Sequence, residues 1–236
     1  MRQDDGIQEV LQEATDTGHV LEIVEKIRSG KEATVYRVIF DGTVLAMKVY
    51  TDPERRDFGN ADSYLQNKFY KYGSHARAVA KGGKFGKRLR HDNWIKREFY
   101  LLKKLYALGA TIPKPVAHIG DAILMDFVGD NRAAAPQLSE VRLTDEEARL
   151  AFHDIMQSVE IFWLAGAVHA DLSAYNILWW RGRSVIIDFP QSVDTRTHPD
   201  AKALLERDVR NMAQYFKKYF DVDCDEILDR FDSSCT

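Results

Sequence analysis

Residues 169–180 read HADLSAYNILWW. An acid, Asp171, stands four intervening residues before an amide, Asn176, and an apolar run follows at once. Two local structures fit such a stretch. One is a polar turn between buried segments, with Asp171 closing an Asx-turn on its own backbone. The other is a loop that presents a carboxylate and an amide on one side and then feeds a strand. The choice depends on whether the rest of the chain supplies the parts that such a loop would need.

The nearest part lies downstream. Residues 183–189 read RSVIIDF, with Asp188 at the C-terminal end of an apolar run and Arg181-Gly182 separating it from NILWW. Upstream, Thr144-Asp-Glu-Glu147 spells a capping box. It opens a long helix whose apolar stripe includes Ala148, Phe152, Ile155, Val159 and Phe162, and Gly166 ends it. The loop therefore joins a helix to a short hairpin. Phosphoryl transfer asks little of a protein: a group that orients the attacking hydroxyl or water, and oxygen ligands for a metal ion. Asp171 can serve as the base, and Asn176 and Asp188 can converge on one metal. Taken singly, Asp188 reads equally well as a strand-end cap. His169 follows Gly-Ala-Val and reads as a buried, hydrogen-bonded anchor of the loop.

The first half of the chain reads as strands. LEIVEKIRS (21–29), TVYRVIF (34–40) and TVLAMKVY (43–50) are rich in β-branched residues, and Asp41-Gly42 between the last two is a hairpin signal. Lys48 interrupts an apolar strand with an ammonium, and a half-buried lysine needs an anionic partner. Nucleotide phosphates are one candidate and Glu98 is the other. Glu98 lies in a helical pattern with apolar residues at 95, 99, 102, 105 and 108, closed by Gly109; its bland reading is an ordinary exposed acid. SGKEAT (29–34), which carries Ser29 and Lys31, is neither a Walker A loop nor G-x-G-x-x-G. Its backbone N–H groups and the Ser29 hydroxyl can still cradle phosphate. PKPVAHI and DAILMDFV then read as two short strands.

Of the 236 residues, 45% are hydrophobic, enough for one domain or two small lobes. Strands precede helices, a segregation that points to an α+β protein with a sheet-rich first lobe and a helical second lobe. The boundary falls near residues 128–132, and a cleft between lobes is a usual place for a small ligand. The N-terminus lacks the apolar core of a signal peptide, and no window approaches the roughly 18 apolar residues of a membrane span. Only two cysteines occur, Cys224 and Cys235, so a reducing cytoplasmic compartment without membrane attachment is expected. From residue 51 to about Asp92 the pattern is polar, with DSYLQNKFYKY a helix candidate inside it. Residues 68–97 carry ten Lys or Arg against one acid, Asp92. That surface is either a solvated basic loop or one that meets phosphate, of a nucleotide or of RNA.

Together these motifs resemble the RIO family of atypical serine/threonine protein kinases. SGKEATVY looks like that family's phosphate-binding loop, AMKVY its lysine strand, WIKRE the helix with the partner glutamate, HADLSAYN the catalytic loop and IIDFPQSVD the metal-binding loop. The resemblance runs in the family's order from about Leu21 to Phe220. It implies a two-lobed kinase-like fold: an extension over 1–20, an N-lobe over 21–128 with an antiparallel sheet, one helix and a flexible basic insertion, and a mainly helical C-lobe over 129–236. It implies that Asp171 is the catalytic Asp, that Asn176 and Asp188 hold Mg²⁺ or Mn²⁺, and that Lys48, paired with Glu98, contacts the phosphates of ATP. Ser29 and Lys31 lie in the phosphate loop. ILMDFVG looks like the hinge, where backbone groups of Asp126 and Val128 hold adenine beside Met125, whose bland reading is a core methionine. Only 48 residues follow Asp188 and none forms an APE-like segment, so the activation and substrate-binding segments are expected to be reduced, as in a compact member without a winged-helix domain. Pro190 replaces the glycine of Asp-Phe-Gly and fixes φ, which predicts a metal loop locked in one state.

The first functional reading is an ATP- and Mg²⁺-dependent kinase acting on a protein or on itself. Its variant is an ATPase in which Asp188 takes the phosphate transiently. The second is a small-molecule phosphotransferase of aminoglycoside-kinase type, whose loops usually read HGDLHxxN. The third is a nucleotide-gated module whose basic segment 68–97 meets RNA or a ribosomal particle. HADLSAYN and SGKEATVY favour the first.

Overall fold

The computed structural model describes residues 4–51 and 84–233. The chain divides into two compact units, Met1–Leu101 with Lys114–Phe127, and Leu102–Pro113 with Val128–Thr236.

The first unit is built on a five-stranded antiparallel sheet in the order β1-β2-β3-β5-β4. Its strands are β1 (Leu21–Ser29), β2 (Ala33–Phe40), β3 (Thr43–Tyr50), β4 (Pro115–Ile119) and β5 (Ala122–Asp126). Asp41 and Gly42 both have positive φ, 47° and 80°, the geometry that a two-residue hairpin turn requires to match strand twist. Strand alternation then sorts the side chains of β3. Leu45, Met47 and Val49 join Tyr36, Val38, Phe40 and Leu124 in one core. Lys48 and Tyr50 face the other way.

A helix covers each face. Helix α1 (Asp4–Asp16) places Ile7, Val10 and Ala14 in the core on the Met47 side. The stretch read as an N-terminal extension thus contributes a helix to this core, and its apolar spacing at 7, 10, 11 and 14 is the local reason. Helix α2 (Lys84–Ala107) lies on the Lys48 side, where Trp94 meets the edge of the Tyr50 ring at 4.9 Å. It begins well before Asp92, inside the stretch expected to be irregular. The expected DSYLQNKFYKY helix lies outside the described residues.

In the second unit, α3 (Asp145–Leu164) opens with the capping box read from sequence. Thr144 Oγ1 accepts from Glu147 N at 3.2 Å, and Glu147 Oε2 accepts from Thr144 N at 2.9 Å. Ala148, Ile155, Val159 and Phe162 form its buried stripe, and Gly166 follows with φ 77°. The short pair β6 (Ala167–Val168) and β9 (Val193–Asp194) brackets the hairpin β7 (Ile177–Trp180) and β8 (Arg183–Ile186). Arg181 and Gly182 turn that hairpin, again with positive φ. Helices α4 (Ala201–Phe216) and α5 (Cys224–Ser233) complete the unit. Phe216 is fully buried and its ring contacts Phe152 and Phe220. Among the described residues no helix is long and apolar enough to cross a membrane.

If α1 belongs to the cooperative core, Ile7→Ala should cost about 2–5 kcal/mol, read as a lower denaturant midpoint. An unchanged midpoint would make α1 an appendage.

Candidate active site

The loop between β6 and β7 is held almost entirely through its backbone. Asp208, in the second turn of α4, accepts from Ala170 N at 2.7 Å and from Leu172 N at 3.0 Å. Arg207 donates to the Ala170 carbonyl, and Asn211 Nδ2 donates to the Leu172 carbonyl at 3.2 Å. The main chain on both sides of Asp171 is therefore turned toward α4, while the Asp171 side chain stands exposed. Ala170 adopts φ 63° to make this possible, a region that costs a residue with Cβ about 1–3 kcal/mol. Burial pushes the Asp208 carboxyl above the usual carboxylate range, while His169, the two backbone donors and Arg207 pull it the other way.

His169 is 2% exposed. Its Nε2 lies 3.1 Å from the Ile187 carbonyl oxygen, and its ring packs 4.7 Å from that of Phe189. A carbonyl only accepts, so Nε2 carries the proton. The anchoring role read from sequence agrees with this geometry. Ile187 also donates its N–H to the Asn176 carbonyl at 2.9 Å. One residue thus ties the start of the loop, its end and the Asp188 backbone together. Asp188 itself has φ 72° and is exposed. Phe189, behind it, is buried between His169 and Phe162.

Asn176 Nδ2 donates to the Asp171 carbonyl at 2.8 Å and approaches Asp171 Oδ2 at 3.3 Å. That orientation leaves Oδ1 of Asn176 as the atom with acceptor capacity for a cation. An amide oxygen and the Asp188 carboxylate are hard donors, the kind Mg²⁺ takes. The donor set therefore fits the metal expected from sequence.

In the first unit, Lys48 Nζ donates to Glu98 Oε1 at 3.1 Å, with the two side chains 9% and 4% exposed. The Tyr50 ring lies 5.2 Å from the ammonium. Of the two anionic partners considered for Lys48, the geometry realises Glu98, and the reading of Glu98 as an exposed helix acid does not hold. Ser29 ends β1, and Lys31 sits in the β1–β2 turn. Ser29 Oγ meets Thr34 Oγ1 at 3.1 Å, Gly30 N donates to Ala33 O at 2.9 Å, and the Lys31 side chain is exposed. Met125 is half-buried and pairs in register with Ala46.

Sequence reading missed Asp208, Arg207 and Asn211, as well as Gln137, whose side chain donates to the Tyr175 carbonyl just before Asn176. The signal for Asp208 was present. Leu205, Val209, Met212 and Phe216 mark the buried stripe of α4, and an acid at position 208 falls on that stripe. Asp208→Asn would aim an amide N–H₂ at a backbone N–H, and should cost about 1–3 kcal/mol. Denaturant unfolding measures this; a cost near zero would mean the loop holds its shape without the carboxylate.

The family profile described as RIO domain matches residues 34–227. A RIO-type serine/threonine-protein kinase Rio1 of Haloferax volcanii is 31% identical over 218 residues, which cover 91% of this chain and 70% of that protein. The serine/threonine-protein kinase rio1 of Schizosaccharomyces pombe is 30% identical over 213 residues, 89% of this chain and 41% of the relative. The human serine/threonine-protein kinase RIO1 is 30% identical over 205 residues, 86% of this chain and 34% of the relative. The chain thus spans 41% and 34% of the length of these two eukaryotic relatives. With the family profile matched over most of its length, the chain belongs to the RIO family of serine/threonine kinases.

Proposed function

We propose that this chain transfers the γ-phosphate of Mg²⁺-bound ATP in line to a serine or threonine hydroxyl, of a protein or of itself. The observation that supports the reading is the joint at Ile187, whose N–H bonds the Asn176 carbonyl one residue before Asp188, while Asp208 holds the backbone on both sides of an exposed Asp171. Asp171 would take the proton of the attacking hydroxyl as its oxygen bonds to phosphorus and the bond to the β-phosphate oxygen breaks, releasing ADP. Asn176 Oδ1 and Asp188 would hold Mg²⁺, or Mn²⁺ in its place; the ion supplies neutralising charge for the phosphates. Lys48, steadied by Glu98, would contact phosphate, with Ser29, Lys31 and the N–H groups of their turn beside it.

At the hinge, Asp126 N–H donates to Lys114 O and Val128 C=O accepts from Ala135 N, both at 2.9 Å. Under this reading the backbone groups of Asp126 and Val128 left by these bonds would contact adenine, next to Met125. Hydrolysis through a transient phosphate on Asp188 is a second outcome of the same site. The charge of residues 68–97 supports RNA or a ribosomal particle as a partner; Arg88, within it, is engaged by Asp121 and Asp92. A chain with only two cysteines suits a reducing cytoplasm.

Incubation with γ-labelled ATP and Mg²⁺ separates the outcomes: acid-stable phosphoserine supports the kinase, an acyl phosphate the Asp188 route, and label only on added small molecules contradicts both. Asp171→Ala should lower transfer by about 10²- to 10⁴-fold while ATP binding persists. Unchanged turnover removes Asp171 from the mechanism. Asp188→Asn keeps a residue tolerant of positive φ and should weaken Mg²⁺-dependent nucleotide binding. Full-strength metal-dependent binding in that variant would refute the metal assignment.

A further inference from the structure

Apolar contact is non-directional, so the packing of α2 on the sheet does not by itself set how far the helix slides or turns. Buried charge does, because a carboxylate out of water is strongly disfavoured without its partner. Glu98 is one such charge. The other lies at the far end of the same helix face.

Asp121, in the turn between β4 and β5, is 7% exposed. Its Oδ2 meets Arg88 at 3.0 Å and its Oδ1 lies 3.4 Å from His91 Nε2. His91 is fully buried, and neither ring nitrogen has a hydrogen-bond partner among the described residues, so the Asp121 carboxylate is the polar group it faces. Arg88 reaches Asp92 at 3.4 Å and Glu9 of α1 at 3.9 Å as well. The turn is in turn stitched to β3, since the Asp121 carbonyl accepts from Tyr50 N at 2.9 Å.

These contacts run without a gap to Lys48. The His91 ring stacks 6.2 Å from Trp94, Trp94 meets Tyr50, and the Tyr50 ring lies beside the Lys48 ammonium. Arg88, His91, Ile95 and Glu98 repeat at helical spacing, so they share one face of α2. Ten residues separate Arg88 from Glu98, about 15 Å of helix. Two buried carboxylates, one on the sheet and one on the helix, therefore pin α2 at two points.

We propose that Asp121 is a positioning residue for nucleotide binding: by holding Arg88, with His91 packed against it, it sets the slide and rotation of α2 that bring Glu98 to Lys48. The inference rests on the reading of Lys48 as a phosphate contact.

The test is a double-mutant cycle on the full chain, read as the Kd for Mg²⁺-ATP. Asp121→Asn should weaken binding about tenfold in the wild-type background and less than about twofold in the Glu98→Ala background, since its effect passes through the pair. Arg88→Met, at a half-exposed position, should act in the same direction and more weakly, and stands in if Asp121→Asn does not fold. Equal effects in both backgrounds would reduce Asp121 to a general stabiliser and overturn the proposal, as would no effect in either. Lys48→Met keeps the two failures apart. If it abolishes binding while Asp121→Asn and Arg88→Met do nothing, only the positioning role falls; if Lys48→Met binds normally, the phosphate reading falls and takes the positioning role with it.

Discussion

One buried carboxylate governs the geometry of the candidate active site. Asp208 accepts two backbone N–H groups that flank Asp171. Those bonds, with the Arg207 and Asn211 bonds to the neighbouring carbonyls, keep Ala170 at positive φ, and an ordinary extended residue there would rotate the Asp171 side chain away. The loop carries few side-chain contacts of its own, so its shape is imposed from α4. That helix is in turn fixed by Phe216 among aromatic rings. The position of an exposed carboxylate thus traces back to an apolar cluster beneath it, by way of a single ionisable group.

Much of this was legible in the sequence because the responsible signals are local. The Asp-Gly and Arg-Gly turns, the Thr144 capping box and the β-branched strands depend on neighbours a few residues apart, and the structure realises each of them. The Lys48–Glu98 pairing was legible for a different reason: an ammonium inside an apolar strand demands a counter-charge, and Glu98 was one of the two candidates for it. What escaped were interactions whose two halves are distant in sequence and bland in composition. Asp208 looks like any helix acid until Leu205 and Val209 are seen to place it inward. Gln137 acts through a backbone carbonyl, which leaves no trace at Tyr175. Residues 1–20 were undervalued because their apolar stripe is narrow, yet Val10 and Ala14 are fully buried.

Both units bury charge where an apolar residue would be less costly. Asp154 is buried and paired with Arg183, Asp121 with Arg88, and Glu98 with Lys48. Replacing such pairs by hydrophobic residues is often neutral or stabilising, so stability is a poor reason for them. What they add is direction. A hydrophobic face accepts a range of orientations, whereas an ion pair with hydrogen-bond geometry accepts few. The pairs sit where α2 meets the sheet and where α3 meets the β7–β8 hairpin, the contacts that set where Lys48 and Asn176 lie.

The joint at Ile187 differs from these in kind. Its two bonds, to His169 and to Asn176, use the N–H and C=O of the main chain. Any amino acid but proline offers both groups, so the link between the two loops places almost no demand on the side chain at position 187. A different apolar side chain at this position would leave both bonds in place. A site joined in this way can change its side chain at the joint without parting the two loops.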